Sequence, residues 1–186
     1  AGIWSSNTNF ETGNFVPRGE RAPSTYAFHS QSDVGFKCDV SHTLDTSIDE
    51  SLWDCVQICE RYIKNFKDFN RSGRERSRWQ DGSDRRSYTI SSKLFVRKST
   101  KVAKPDFTPH EWLTRGVQAQ KRMEYVINPE RPLYYDLVDN SLVKLDNAEP
   151  PYYRRGDIVW FVFKLTFFVA RENWSSEIVP LEFVRV

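Results

Sequence analysis

The sequence predicts an α+β fold, a small bent antiparallel sheet or half-closed barrel of about five strands with two helices. Three observations lead there. Residues 157–170, DIVWFVFKLTFFVA, are dominated by β-branched and aromatic side chains, which a strand accommodates best. At ~3.3 Å per residue such a run extends about 46 Å, so it must bend, as the long strands of small barrels do. The two stretches of helical period do not alternate with strands, which argues against a βαβ arrangement.

In chain order, residues 1–36 are rich in Ser, Asn, Gly and Pro, with Trp4, Phe10, Phe15, Tyr26 and Phe28 scattered among them. No period of 2 or 3.6 emerges, so this is expected to be an irregular arm whose aromatics pack on something. Residues 37–186 would then form a single domain.

Residues 47–66 carry the clearest helical signal. Ser47 with Glu50 three positions on has the spacing of a capping box. At 100° per residue, Ile48, Leu52, Cys55, Val56, Cys59, Tyr62, Ile63 and Phe66 fall within an arc of about 120°, the expected buried stripe. Asp54, Gln57, Arg61 and Lys64 occupy the far side. A polar, basic loop is expected over 70–87. YTISSKLFVRK (88–98) then alternates, with Tyr88, Ile90, Leu94 and Val96 inward and a basic outer face. A second helix is expected from Pro109 to about 126, weakened by Gly116.

LYYDLVDNSLVKL (133–145) predicts a hairpin turning at Asp139-Asn140, and after it come the long strand, a turn at RENWSS and a final strand EIVPLEFVRV. In the long strand the odd positions Val159 to Val169 are all apolar. The even positions are apolar at Ile158, Trp160 and Val162 and polar at Lys164 and Thr166, so the second face is expected to be covered over its first half.

Composition narrows the function classes. No segment reaches the ~18–20 uninterrupted apolar residues of a transmembrane helix, so no membrane partner is expected. Three cysteines, an odd number, make no disulfide framework, which points to an intracellular and, for a nucleic-acid binder, nuclear setting. The start at Ala1, without Met or a secretory pattern, suits a processed chain or a piece of a longer one. Neither HExxH, GxSxG, a P-loop nor GxGxxG occurs, so the chain is expected to be non-enzymatic, a scattered-carboxylate metal enzyme being the alternative.

One spacing resembles a structural zinc site. Cys38-x3-His42-x12-Cys55-x3-Cys59 sets two pairs of soft ligands twelve residues apart, the second pair at i and i+4 of a helix. The competing reading makes Cys55 and Cys59 small hydrophobes of the buried stripe. Apart from such a structural zinc, no cofactor is expected.

Charge carries the stronger functional signal. The net charge is only +2, yet residues 71–104 hold eleven Lys or Arg against three Asp or Glu. Arg71, Arg74, Arg76, Arg78, Arg85, Arg86, Lys93 and Arg97 suit phosphate contacts, and Trp79 and Tyr88 among them suit stacking on bases. A second cluster of Tyr153, Arg154 and Arg155, beside Tyr152, precedes the long strand. These residues predict a domain that binds single-stranded DNA or RNA through a basic groove. The alternative is a protein-interaction or self-assembly module using the N-terminal arm and the Tyr/Arg clusters, with a homo-oligomer or a protein partner.

The C-terminal stretch YRRGDIVWFVFKLTFFVARENWSSEIVPLEFVRV resembles the end of a group of uncharacterised basidiomycete fungal proteins, through GD-[IL]-V-W, a following Trp and P-x-E-x-V-R-V. The resemblance covers the last fifth to quarter of the chain and implies no activity and no site residues. A long bent strand followed by another beside aromatic loops also resembles an oligonucleotide-binding barrel in architecture.

Overall fold

Strands of twelve and thirteen residues at the C-terminal end set the architecture. The structure is a computed structural model that describes residues 1–23, 34–35, 37–66, 73–77, 84–99 and 101–186. Among these residues the order is β1 Gly2–Asn7, β2 Asp39–Asp45, α1 Ser51–Lys64, β3 Glu75–Arg76, β4 Ser87–Lys93, β5 Phe95–Arg97 and α2 Glu111–Gln118. Then follow β6 Tyr125–Ile127, β7 Leu133–Val138, β8 Ser141–Lys144, a 3-10 turn Leu145–Asn147, β9 Ile158–Val169 and β10 Asn173–Arg185.

The expectation of a bent sheet or half-closed barrel of about five strands is overturned. Ten strands form among the described residues, eight of them in one mixed sheet of order β4–β2–β1–β9–β10–β7–β8 with β3 paired to β10. The β3–β10 pair is parallel, whereas β1–β9, β9–β10 and β7–β8 are antiparallel. β5 and β6 make a separate antiparallel pair. The chain divides into two compact units, each built from segments far apart in sequence. Unit 1 is Ala1–Ser5, Thr43–Thr89 and Tyr134–Val186; unit 2 is Ser6–His42 and Ile90–Leu133.

In unit 1 the hairpin β9–β10 pairs from Trp174↔Val169 to Arg185↔Val159, with a register shift between Pro180 and Glu182. Pro180 has no N–H to give the ladder, and the extra residue Leu181 is the β-bulge that lets so long a hairpin bend. The β7–β8 hairpin turns at Asp139 and Asn140, both at positive φ (49° and 61°), the conformation a tight two-residue turn requires. Gly2–Asn7, expected in an irregular arm, is instead a strand, paired to β9 through Gly2↔Val159 and Ile3↔Ile158. Trp4 anchors it, edge-on to Tyr153 at 4.7 Å and to Phe183 at 5.3 Å.

The helix α1 forms, with its burial rotated from the expected stripe. It starts after Glu50 without a side-chain cap; Ser47 bonds Asp45 instead. Trp53, Val56 and Glu60 are its buried residues, whereas Cys55, Ile58, Tyr62 and Phe66 are exposed. Polar anchors select that face. The Trp53 indole donates to Thr46 Oγ1 at 3.1 Å, and the Glu60 carboxylate accepts from Arg76 Nε at 2.6 Å, from Arg76 Nη2 at 3.0 Å and from the Ser176 hydroxyl. A buried carboxylate satisfied in this way is strongly held, because losing any partner strands a charge.

The second face of β9 also departs from expectation. Ile158, Trp160 and Val162 are each more than half exposed, while the odd face is held by fully buried Val159. At the end of β10, Arg185 is clasped by Asp136 (3.0 and 2.7 Å) and by the carbonyls of Tyr152 and Pro150 (2.9 and 3.0 Å).

Unit 2 closes on Phe15, Cys38, Val40, Leu94, Phe95 and Leu113. α2 spans eight residues, shorter than expected, because the chain leaves it at Ala119 to form β6. Gly116 is required there: a Cβ would stand 2.7 Å from Phe15 Cζ and 2.9 Å from Val34 Cγ2. The helix thus lies against Phe15 more closely than any side chain at 116 permits.

Candidate nucleic-acid interface

Of the six described arginines singled out by sequence in unit 1, four are engaged by side-chain polar contacts within the fold. Arg76 is taken by Glu60. Arg85 reaches Glu50 at 3.2 Å and Asp54 at 3.3 Å, and Arg86 clasps Asp84 at 2.7 Å. Hydrogen bonds from the Arg86 side chain, then one from its backbone N–H, and its charge hold the Asp84 carboxyl down at about 2. Arg74 Nε donates to the Ala170 carbonyl at 2.6 Å. The carboxylate pairs of Arg76, Arg85 and Arg86 offset charge that a groove would need.

The aromatic platforms fare similarly. Tyr88 is buried against Trp53, its ring centroid 4.6 Å away. Tyr153 is buried, its hydroxyl accepting from the Tyr135 N–H and lying 2.9 Å from both the Tyr135 and Phe183 carbonyls; burial pushes that phenol well above its usual range. A ring packed in this way offers no face to a base. Its neighbour Tyr152 is exposed, with Arg154 5.6 Å over its ring, and Arg155 is exposed too. Arg71, Arg78 and Trp79 lie outside the described residues.

The four proposed metal ligands are not brought together. Cys38 and His42 are fully buried inside unit 2, where Cys38 packs in the apolar core. Cys55 is exposed and Cys59 half-buried on α1 of unit 1. Burial first, and then the neighbouring Cys55 thiol, push the Cys59 thiol upward, so it stays protonated. His42 Nδ1 lies 3.3 Å from the Ile90 carbonyl, and burial lowers its pKa to about 4. Among the described residues no group of three or more His, Cys, Asp or Glu could hold a metal ion. No described helix is long and apolar enough to cross a membrane.

Unit 2 holds a basic site that local sequence reading did not assemble. Its residues include twelve Lys or Arg against eight Asp or Glu, a balance of +4, whereas unit 1 has fifteen against seventeen, a balance of −2. A cleft of about 710 Å³ opens between α2, the chain at 15–18 and β6. Arg18, Arg115, Lys121 and Arg122 line it, with Glu124 as the one acid among the described residues and Phe15, Val34 and Tyr125 as apolar or aromatic wall.

The local chain explains why the cations face outward. His110 caps α2, its Nδ1 accepting from the Trp112 N–H at 3.1 Å, and Leu113 turns into the core. Past the helix, Gln120 binds both backbone groups of Tyr125, donating to its carbonyl at 2.9 Å and accepting from its N–H at 3.0 Å. That clamp holds 121–124 as a short projecting loop, so Lys121 and Arg122 are exposed while Tyr125 remains half-buried in the wall. Arg97 is the cross-strand partner of Tyr125, so the two share a face, and the Lys98 N–H donates to the Glu124 carbonyl at 2.8 Å.

Arg97 does not itself line the cleft, but among the described sequence-predicted cations it is the one whose cross-strand partner, Tyr125, does. Lys93, one strand earlier, acts on Asp39, whose carboxyl burial raises and whose charge Lys93 favours. Arg115 pairs with Glu20 at 2.7 Å. Arg18, Arg97, Lys121 and Arg122 make no ion pair with another described residue. Exposed cations beside a half-buried aromatic ring are the elements that hold an anionic chain by its phosphates while a base lies on the ring.

No protein-family model, no curated protein and no solved structure matches this chain.

Proposed function

We propose that this chain is a non-enzymatic nucleic-acid-binding domain that takes single strands along the basic cleft and rim of unit 2. The observation that carries the reading is the convergence of Arg18, Arg115, Lys121 and Arg122 on one concavity walled by Tyr125, whose cross-strand partner is Arg97. Arg18, Arg97, Lys121 and Arg122, which have no acidic partner among the described residues, keep counterions whose release to solvent drives polyanion binding. Four such contacts give a slope of about −3 in log K against log salt for a single strand. A half-buried tyrosine favours unpaired bases, since a duplex keeps its base faces stacked inward.

The test is fluorescence anisotropy of a labelled dT12 strand with the full chain between 20 and 200 mM salt. Binding should weaken steeply with salt, and the triple change Arg97→Glu, Lys121→Glu and Arg122→Glu should abolish it. Arg86→Glu, in a residue already neutralised by Asp84, should leave it unchanged. No salt-sensitive affinity at the lowest ionic strength, or a triple variant that binds as well as the parent, overturns the reading.

A second reading, self-association, is favoured by one observation: Ile158, Trp160 and Val162 form an exposed apolar row on β9. Apolar rows on a sheet face commonly pack against another copy. Light scattering that stays at one monomer mass across a hundredfold concentration range disposes of it.

A further inference from the structure

An ion pair is made by one of the cleft's lining cations. Arg115 Nη2 lies 2.7 Å from Glu20 Oε1, and the two side chains are 47% and 35% exposed. Pairs as exposed as this hold together weakly, because water screens them and two long side chains must be ordered. Yet the geometry is that of a guanidinium gripping an oxyanion at the mouth of a basic cavity. Arg115 is the cleft cation for which the protein itself supplies the anion; Arg18, Lys121 and Arg122 have no acidic partner among the described residues.

We propose that the Glu20 carboxylate marks a phosphate subsite: it occupies on Arg115 the position taken by a phosphate oxygen of the bound ligand, which must displace it. The inference rests on the polyanion reading of the cleft and adds the place where one phosphate docks and the internal group that competes for it. A phosphate diester carries its charge over two oxygens and matches the flat fork of a guanidinium, so the exchange keeps a charge-assisted bond at Arg115. Displaced from Arg115, the Glu20 carboxylate keeps access to water through its 35% exposure. Its net effect is to weaken binding by a constant factor, limited by how little an exposed pair is worth.

Three changes separate this subsite from a general effect of charge. Glu20→Gln removes the competitor and should tighten dT12 binding about two- to fivefold at low salt, the range set by the strength of an exposed pair. Glu124→Gln removes an equal charge from the cleft wall without touching Arg115, and its gain should be smaller. In an Arg115→Gln background the Glu20→Gln gain should vanish.

Titration with inorganic pyrophosphate, followed by NMR, reads the same subsite without a strand. The expected result is tighter pyrophosphate binding by the Glu20→Gln chain, dependent on Arg115. If dT12 binds but Glu20→Gln does not tighten it, or tightens it equally in the Arg115→Gln background, the competitor role is overturned and the strand reading stands. If pyrophosphate shows the expected pattern and dT12 does not bind, the phosphate subsite stands and the strand reading falls. If neither probe binds, both are overturned.

Discussion

Replacing His42 by Leu should flatten the acid limb of the stability curve. His42 is fully buried in unit 2, Nδ1 3.3 Å from the Ile90 carbonyl and its ring stacked on Phe10 at 6.1 Å. Burial disfavours the imidazolium and lowers the folded pKa to about 4, against ~6.5 in an unfolded chain. Between those values the unfolded chain holds a proton that the folded one does not. Stability is therefore complete above about pH 6.5 and falls as pH drops toward 4. At ~1.4 kcal/mol per unit, the window is worth about 3 kcal/mol.

Urea unfolding at pH 7.0, 5.5 and 4.0 measures this directly, and the difference between parent and variant isolates the one group. Asp39 pulls the other way, because burial raises its pKa and protonation then favours the fold. Asp136, held down by Arg185, loses its contribution only in stronger acid, below the window of His42. Neither is altered by His42→Leu, so both cancel in the difference. The parent should lose about 3 kcal/mol more than the variant across the range. Parallel pH profiles would refute the reasoning, for they would mean that His42 takes its proton without unfolding the unit.

Further outcomes follow from the packing. Arg185→Ala should cost about 3–5 kcal/mol, since it strands the Asp136 carboxylate in a site with 13% side-chain exposure; a loss under 1 kcal/mol would contradict that, as would a double change with Asp136→Asn that recovers nothing. Gly116→Ala should lower the thermal midpoint even though alanine favours a helix by ~1 kcal/mol, because overpacking against Phe15 costs ~1–3 kcal/mol. A raised midpoint would show that Phe15 gives way. Glu60→Gln should destabilise unit 1 by about 2 kcal/mol, through the loss of charge under Arg76 and Ser176, as read from urea midpoints; an unchanged midpoint would remove that anchor from the account.

Much of the local structure was legible in the sequence. Alternation marked β4, β-branched and aromatic content marked the long β9, and Asp139-Asn140 marked the β7–β8 hairpin because few residues accept the positive φ of that turn. Non-local choices were not legible. Gly2–Asn7 carries no strand period of its own and becomes a strand by pairing with residues more than 150 positions away. On α1, apolar periodicity pointed to the face with Cys55, Tyr62 and Phe66, while polar anchors at Trp53 and Glu60 determined which face is buried.

The site followed the same division. A cluster of arginines is visible in sequence, but their partners are not: Arg76 is paired 16 residues away and Arg185 49 residues away. Of Tyr152 and Tyr153, adjacent and alike in sequence, only the second is buried. The cleft joins Arg18 to Arg115, Lys121 and Arg122, groups brought together by the packing of Phe15 under Gly116. The local signal that bore on them was Lys121-Arg122 itself, a short cationic pair after a helix end.

An NMR footprint of dT12 on the full chain at low salt shows whether the cleft of unit 2 holds the strand. The largest shifts should fall at Arg97, Arg115, Lys121, Arg122 and Tyr125, with Arg76, Arg85 and Tyr88 still. Shifts confined to the residues around α1, with those of the cleft unmoved, would contradict it.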